Sequence, residues 1–144
     1  MKTEEFIAQL DDAAVVAEIS AAEKKSSGEI RVYVSNEKCD DPLARATARF
    51  QKLGMHKTRE RNGVLLYFAP QVQKFAVVGD AAIHEKCEQP FWEEVAAEIS
   101  SGLREKQFTP AVVGAVRKVG ELLAVHFPRH SDDSDELSNE IMRD

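Results

Sequence analysis

At 144 residues, 43% of them hydrophobic, the chain is long enough for one domain with its own core and too short for two of ordinary size. Its 25 acids against 19 lysines and arginines give a net charge of −6, which argues against a nucleic-acid partner, because duplex affinity is largely phosphate neutralisation by basic side chains. The two cysteines, Cys39 and Cys87, stand in no CxxC and near no Cys/His cluster, so zinc and thioredoxin-type chemistry lack support and two free thiols in a reducing compartment are expected.

The opening run MKTEEFIAQLDD is acidic early and carries no long apolar stretch, so it does not read as an export signal. No segment approaches the roughly 20 apolar residues of a membrane helix. A cytoplasmic chain without direct membrane insertion is expected. Thr3, Glu4 and Glu5 precede Phe6, Ile7 and Leu10, which suits a short helix with acids at its positive end. Asp11 and Asp12 can cap a second helix, whose apolar residues Val15, Ile19 and Ala22 recur at helical spacing before Ser26-Ser27-Gly28 stops it.

From Glu29 to Ser35, Ile30, Val32 and Val34 alternate with Glu29, Arg31 and Tyr33, which predicts a half-buried strand. Asp40-Asp41-Pro42 then supplies a cap and a first-turn proline for a helix bearing Leu43, Ala46, Thr47, Phe50 and Leu53, with Gly54 placed to end it. Val64 to Ala69 is apolar on both sides, as in a central strand covered on both faces. A short connection through Pro70 leads to a third strand, Lys74 to Asp80, and a hairpin is the natural pairing at that loop length. The remainder is helical: a short piece over Ala82 to Cys87, a helix from Pro90 carrying Trp92, Val95, Ile99 and Leu103, and a last helix from Thr109-Pro110 to Phe127-Pro128. Residues 1–128 thus form one domain, and 129–144 read as an acidic tail, mobile or loosely docked.

A right-handed crossover through the Pro42 helix makes the first two strands parallel, and the third returns antiparallel beside them. Glu29 at the start of the first strand, Arg61 and Asn62 before the second, and Asp80 at the end of the third therefore belong to one edge of the sheet. Two carboxylates and an amide there can form an oxygen-rich site for calcium or magnesium. Equally, Asp80 can cap the helix that follows it and Glu29 can pair with Arg31 or Arg61. The acids Asp132, Asp133, Asp135 and Glu136 lack the glycine and spacing of an EF-hand loop, and a solvated tail is the reading.

Several segments together resemble the TPM domain family: Ser27-Gly28-Glu29-Ile30-Arg31-Val32, Leu53-Gly54-Met55, Thr58 through Tyr67, Val77-Val78-Gly79-Asp80, the Trp92 helix, and His126-Phe127-Pro128 with Asp132-Asp133 and Glu136-Leu137 after it. The resemblance implies a three-layer α/β/α sandwich around a small mixed β-sheet. It also implies links to calcium binding, to a phosphatase activity among plant lumenal members, and to modules carried on membrane proteins. By position, the family's acidic edge falls near Glu29, Asn62 and Asp80. The function expected is a non-catalytic calcium- or magnesium-binding interaction module, serving a protein partner such as a component of a membrane-associated complex. The alternative is a weak metal-assisted acid phosphatase in which Arg59 or Arg61 binds the phosphate. No P-loop, no Cys-x5-Arg and no Asp-x-Asp after the first strand supports that chemistry.

Overall fold

The computed structural model describes residues 1–129 and 139–144. Its elements run α1 (Thr3–Gln9), α2 (Asp12–Glu23), β1 (Glu29–Val34), α3 (Pro42–Lys52), β2 (Gly63–Ala69), β3 (Lys74–Gly79), α4 (Ala81–Lys86), α5 (Gln89–Arg104), α6 (Phe108–His126) and β4 (Met142–Arg143). The expected caps form: Asp11 and Asp41 accept hydrogen bonds from the Ala14 and Ala44 N–H groups, each at 3.1 Å. Gly54 adopts a left-handed φ of 74° just past α3, a conformation that glycine takes without a Cβ clash.

The sheet order is β3-β2-β1-β4. β1 and β2 are parallel, with Glu29 opposite Gly63, and β3 is antiparallel to β2, with Gly79 opposite Val64. Ile30, Val32, Val34, Val64, Leu66 and Phe68 face a core shared with α1, α2, α5 and α6. Tyr33, Leu65, Tyr67 and Ala76 face a second core closed by Ala46 and Phe50 of α3 and by Met55. The result is a mixed α/β fold with helices on both faces of the sheet.

This second layer corrects the expectation for β1. All six of its residues are buried, Arg31 completely, because the face taken as solvent-exposed lies under a layer of its own. Trp92 packs half-buried against the first core, as its apolar stripe suggested. Cys39 and Cys87 are unpaired and belong to different cores, so the sheet separates them. α2 and α6 approach so closely at Gly120 that a Cβ there would stand 2.6 Å from the Ala22 Cβ.

Near the end of the chain, where the sequence predicts no strand, Met142 and Arg143 pair in parallel with Tyr33 and Val34. Asp144 fixes this short strand. Its carboxylate accepts from the Tyr33 hydroxyl at 2.6 Å, the Ser35 hydroxyl at 3.0 Å and the Asn36 N–H at 2.5 Å, with an Arg49 nitrogen at 3.5 Å. The rest of the tail, including Asp132, Asp133, Asp135 and the Glu136-Leu137 pair, lies outside the described residues. An Asp144→Asn change sets an amide NH2 among donors, and charged hydrogen bonds contribute about 1.5–3 kcal/mol each. The expected result is a loss of about 1–2 kcal/mol, with faster amide exchange across Tyr33–Asn36 than elsewhere in β1. Unchanged exchange there would show that Asp144 does not hold the strand.

Candidate functional site

The register brings the ends of three strands together. Glu29 opens β1 opposite Gly63, and the Asp80 N–H donates to the Gly63 carbonyl at 3.0 Å. Glu29, Asn62 and Asp80 therefore share one sheet edge, as the crossover argument requires, and each is buried. Their side chains divide into three groups.

Asp80 ends β3 and caps α4, accepting from the Ala81 N–H at 2.7 Å. It also holds Arg61 through two bonds, Nε to Oδ2 at 2.8 Å and Nη2 to Oδ1 at 2.9 Å. Such a two-point fork is the strong form of a guanidinium–carboxylate pair. Arg61 has a left-handed φ of 53°, and its carbonyl receives the Ala82 N–H at 3.1 Å. Burial opposes ionisation of Asp80, but Arg61 and the Ala81 N–H outweigh it and hold the carboxyl below the usual aspartate range. Arg61 itself stays 52% exposed.

Glu29 belongs to a buried triad. Its Oε2 meets Arg31 Nη2 at 2.6 Å, and the other Arg31 terminal nitrogen pairs with Glu23. Glu23 Oε2 also accepts from the Ile30 N–H at 3.1 Å, which ties the end of α2 to β1. Arg31 is fully buried and the two acids nearly so. Burial pushes the Glu23 carboxyl up to about 7 against the pull of Arg31, with Glu29 adding to the rise.

Asn62 forms the third group. Its amide nitrogen donates to the Ser27 hydroxyl at 3.0 Å and to Glu60 Oε2 at 3.2 Å, while the Ser27 hydroxyl bonds the same Glu60 oxygen. Its amide oxygen is buried with no hydrogen-bond partner among the described residues. The Ser27 N–H in turn donates to the Phe127 carbonyl at 2.9 Å, fastening the end of α6 to this edge.

Glu29, Asn62, Asp80 and Arg61 are placed at this edge by the sequence pattern, whereas Glu23, Ser27 and Glu60 join them only in the structure. A signal for Glu23 exists: it falls four residues after Ile19, itself four after Val15, so it prolongs the buried stripe of α2. Arg59 is exposed in the turn that precedes Arg61. Both of the open alternatives occur, since Asp80 caps the next helix and Glu29 pairs with Arg31. No cluster of three His, Cys, Asp or Glu side chains with metal-holding geometry occurs among the described residues. For a cation, then, the fit rests on Asn62 and its neighbours, with Glu29 and Asp80 engaged by guanidinium groups.

A mixed sheet with helices on both faces and a polar strand-end edge defines a class of small α/β sandwich. The chain belongs to the TPM domain family, whose profile matches residues 1–122. It is similar to the BA42 protein of the psychrophilic bacterium Bizionia argentinensis, solved by NMR: 35% identity, TM-score 0.85, with 92% of each chain covered. A more distant likeness, to the N-terminal domain of the cg2496 protein from Corynebacterium glutamicum, has a TM-score of 0.54 at 15% identity over 85% of this chain and 74% of that one, and it speaks to fold alone. Among curated proteins nothing matches this chain.

Proposed function

We propose that this TPM domain is a non-catalytic interaction module whose strand-end edge takes up calcium or magnesium and presents the bound form to a protein partner. The observation that carries the reading is the amide oxygen of Asn62, a buried acceptor without a partner among the described residues. Leaving a buried acceptor unsatisfied costs on the order of 1–3 kcal/mol, and a hard cation is one ligand that removes the cost. Glu60 and Ser27 supply further oxygens beside it; the Glu60 carboxylate brings negative charge, and Asp80 brings more once Arg61 lets go of it.

Arg61 then acts as a resident counter-cation. It occupies both Asp80 oxygens, and its half-exposed side chain is free to swing into solvent when a divalent ion competes. While it holds Asp80, Arg61 is not available for phosphate, so the phosphatase alternative would turn to Arg59, exposed in the turn before it. No helix among the described residues is long and apolar enough to cross a membrane. Two unpaired buried cysteines suit a cytoplasmic setting, and the partner can be a protein of a membrane-associated complex.

The test is a calcium and magnesium titration followed by amide NMR. Shifts are expected at Ser27–Arg31, Asn62–Gly63 and Asp80–Ala82, and Arg61→Ala is expected to strengthen binding by about three- to tenfold by removing the competing cation. No shift at these amides at ten times the physiological ion concentration, in either protein, overturns the reading.

A further inference from the structure

The opposite end of the sheet holds a cavity of about 510 Å³ that plays no part in the edge just described. It lies where β2 ends and β3 begins, under α1 and beside the connection from α5 to α6. Phe6, Phe68 and Phe108, all buried, form its apolar floor. Phe6 sits 5.8 Å from Phe68 and 5.2 Å from Phe108, and Phe68 continues to Phe75 at 6.3 Å, centroid to centroid. The space falls within the roughly 300–1,000 Å³ of small-molecule sites.

The mouth inverts the charge of the chain. Lys74, Arg104 and Lys106 line it, all exposed, against a single acid among the described residues, Glu5, in a protein of net charge −6. Among the described residues, two of these cations have only neutral carbonyls as hydrogen-bond acceptors: Lys74 reaches the Asp40 carbonyl at 3.0 Å and Arg104 the Ser100 carbonyl at 3.4 Å. Their charges are therefore left for a ligand. Two of the three non-glycine residues with left-handed backbone among those described, Gln73 at φ 52° and Lys106 at φ 59°, also line the cavity. Both close turns at the rim: the Gln73 N–H donates to the Pro70 carbonyl at 3.1 Å and the Lys106 N–H to the Leu103 carbonyl at 3.1 Å.

We propose that this cavity binds a small amphipathic anion, an aromatic or short acyl group seated on the phenylalanine floor with its carboxylate, sulfonate or phosphate held by Lys74, Arg104 and Lys106. The floor supplies affinity through burial of apolar area, and the three cations select an acid over a neutral analogue.

Fluorescence titration with 1-anilinonaphthalene-8-sulfonate tests the assignment on the full chain, with decanoate as competitor. Saturable binding displaced by decanoate is expected. The Arg104→Glu/Lys106→Glu double variant is expected to weaken the sulfonate probe by about tenfold or more while leaving neutral N-phenyl-1-naphthylamine within about twofold. Ser100→Trp, which fills the cavity from a half-buried wall position, is expected to abolish both, at an unchanged denaturation midpoint. Sulfonate binding unaltered by the charge reversal, or decanoate-induced amide shifts that avoid Phe68, Phe75 and Phe108, overturns the proposal.

Discussion

Replacing Arg31 with methionine is expected to lower the unfolding free energy by about 3–5 kcal/mol at pH 7.5. Arg31 is fully buried and its two terminal nitrogens neutralise Glu23 and Glu29, which are themselves almost inaccessible. Methionine keeps much of the side-chain volume, so the loss measures charge rather than a cavity. Two carboxylates would remain out of water with no counter-charge, and breaking one member out of a buried ionic set is the costly operation, even where replacing the whole set by apolar residues is neutral. The damage is also expected to shrink in acid, because protonation removes the stranded charges. A Glu23→Gln/Arg31→Met double variant should recover part of the loss, and the non-additivity of that cycle gives the coupling between the pair. Denaturant titration of the four proteins decides it: an Arg31→Met protein within 1 kcal/mol of wild type would mean that water reaches the triad.

The strand order and the shared edge were legible because they follow from local patterns joined by one topological rule. Glycine and proline mark the strand limits, and the crossover through Pro42 fixes Glu29 beside Gly63. The triad was not legible. Arg31 alternates with apolar neighbours and so reads as the wet face of a strand, and only the packing of Ala46, Phe50 and Met55 over that face shows otherwise. Glu23 ends a helix, where an acid ordinarily meets solvent, and its burial depends on contact with Ile30 and Arg31. β4 is two residues long, too short for any periodicity, and its position depends on Asp144 meeting donors more than a hundred residues away in sequence. The cavity at the far end is built by residues of α1, β2, β3, α5 and α6, so no single stretch of sequence announces it.

Between pH 7.5 and pH 5 the protein is expected to gain about 2–3 kcal/mol of stability from Glu23 alone. The folded-state carboxyl titrates near 7, pushed there first by burial, whereas in the unfolded chain it titrates near the ordinary glutamate value of 4.5. Across that window the folded state binds more protons than the unfolded one. Its stability therefore falls as pH rises, is lost through the folded value near 7, and is level above it. Asp80 and Asp144 act in the opposite sense. Their folded-state values lie below 3.8, so what they contribute is fully present above 3.8 and is lost as pH falls from there through the lower folded-state values. Glu23 thus favours the acid side of neutrality, while Asp80, Asp144 and Glu37, whose carboxyl is likewise held below its ordinary value, oppose further acidification. Glu23→Gln keeps an acceptor for the Ile30 N–H but cannot titrate, so it is expected to flatten the slope between pH 5 and 7.5. Chemical denaturation of both proteins across that interval reads the difference, and parallel profiles for wild type and Glu23→Gln would assign the pH dependence to another group.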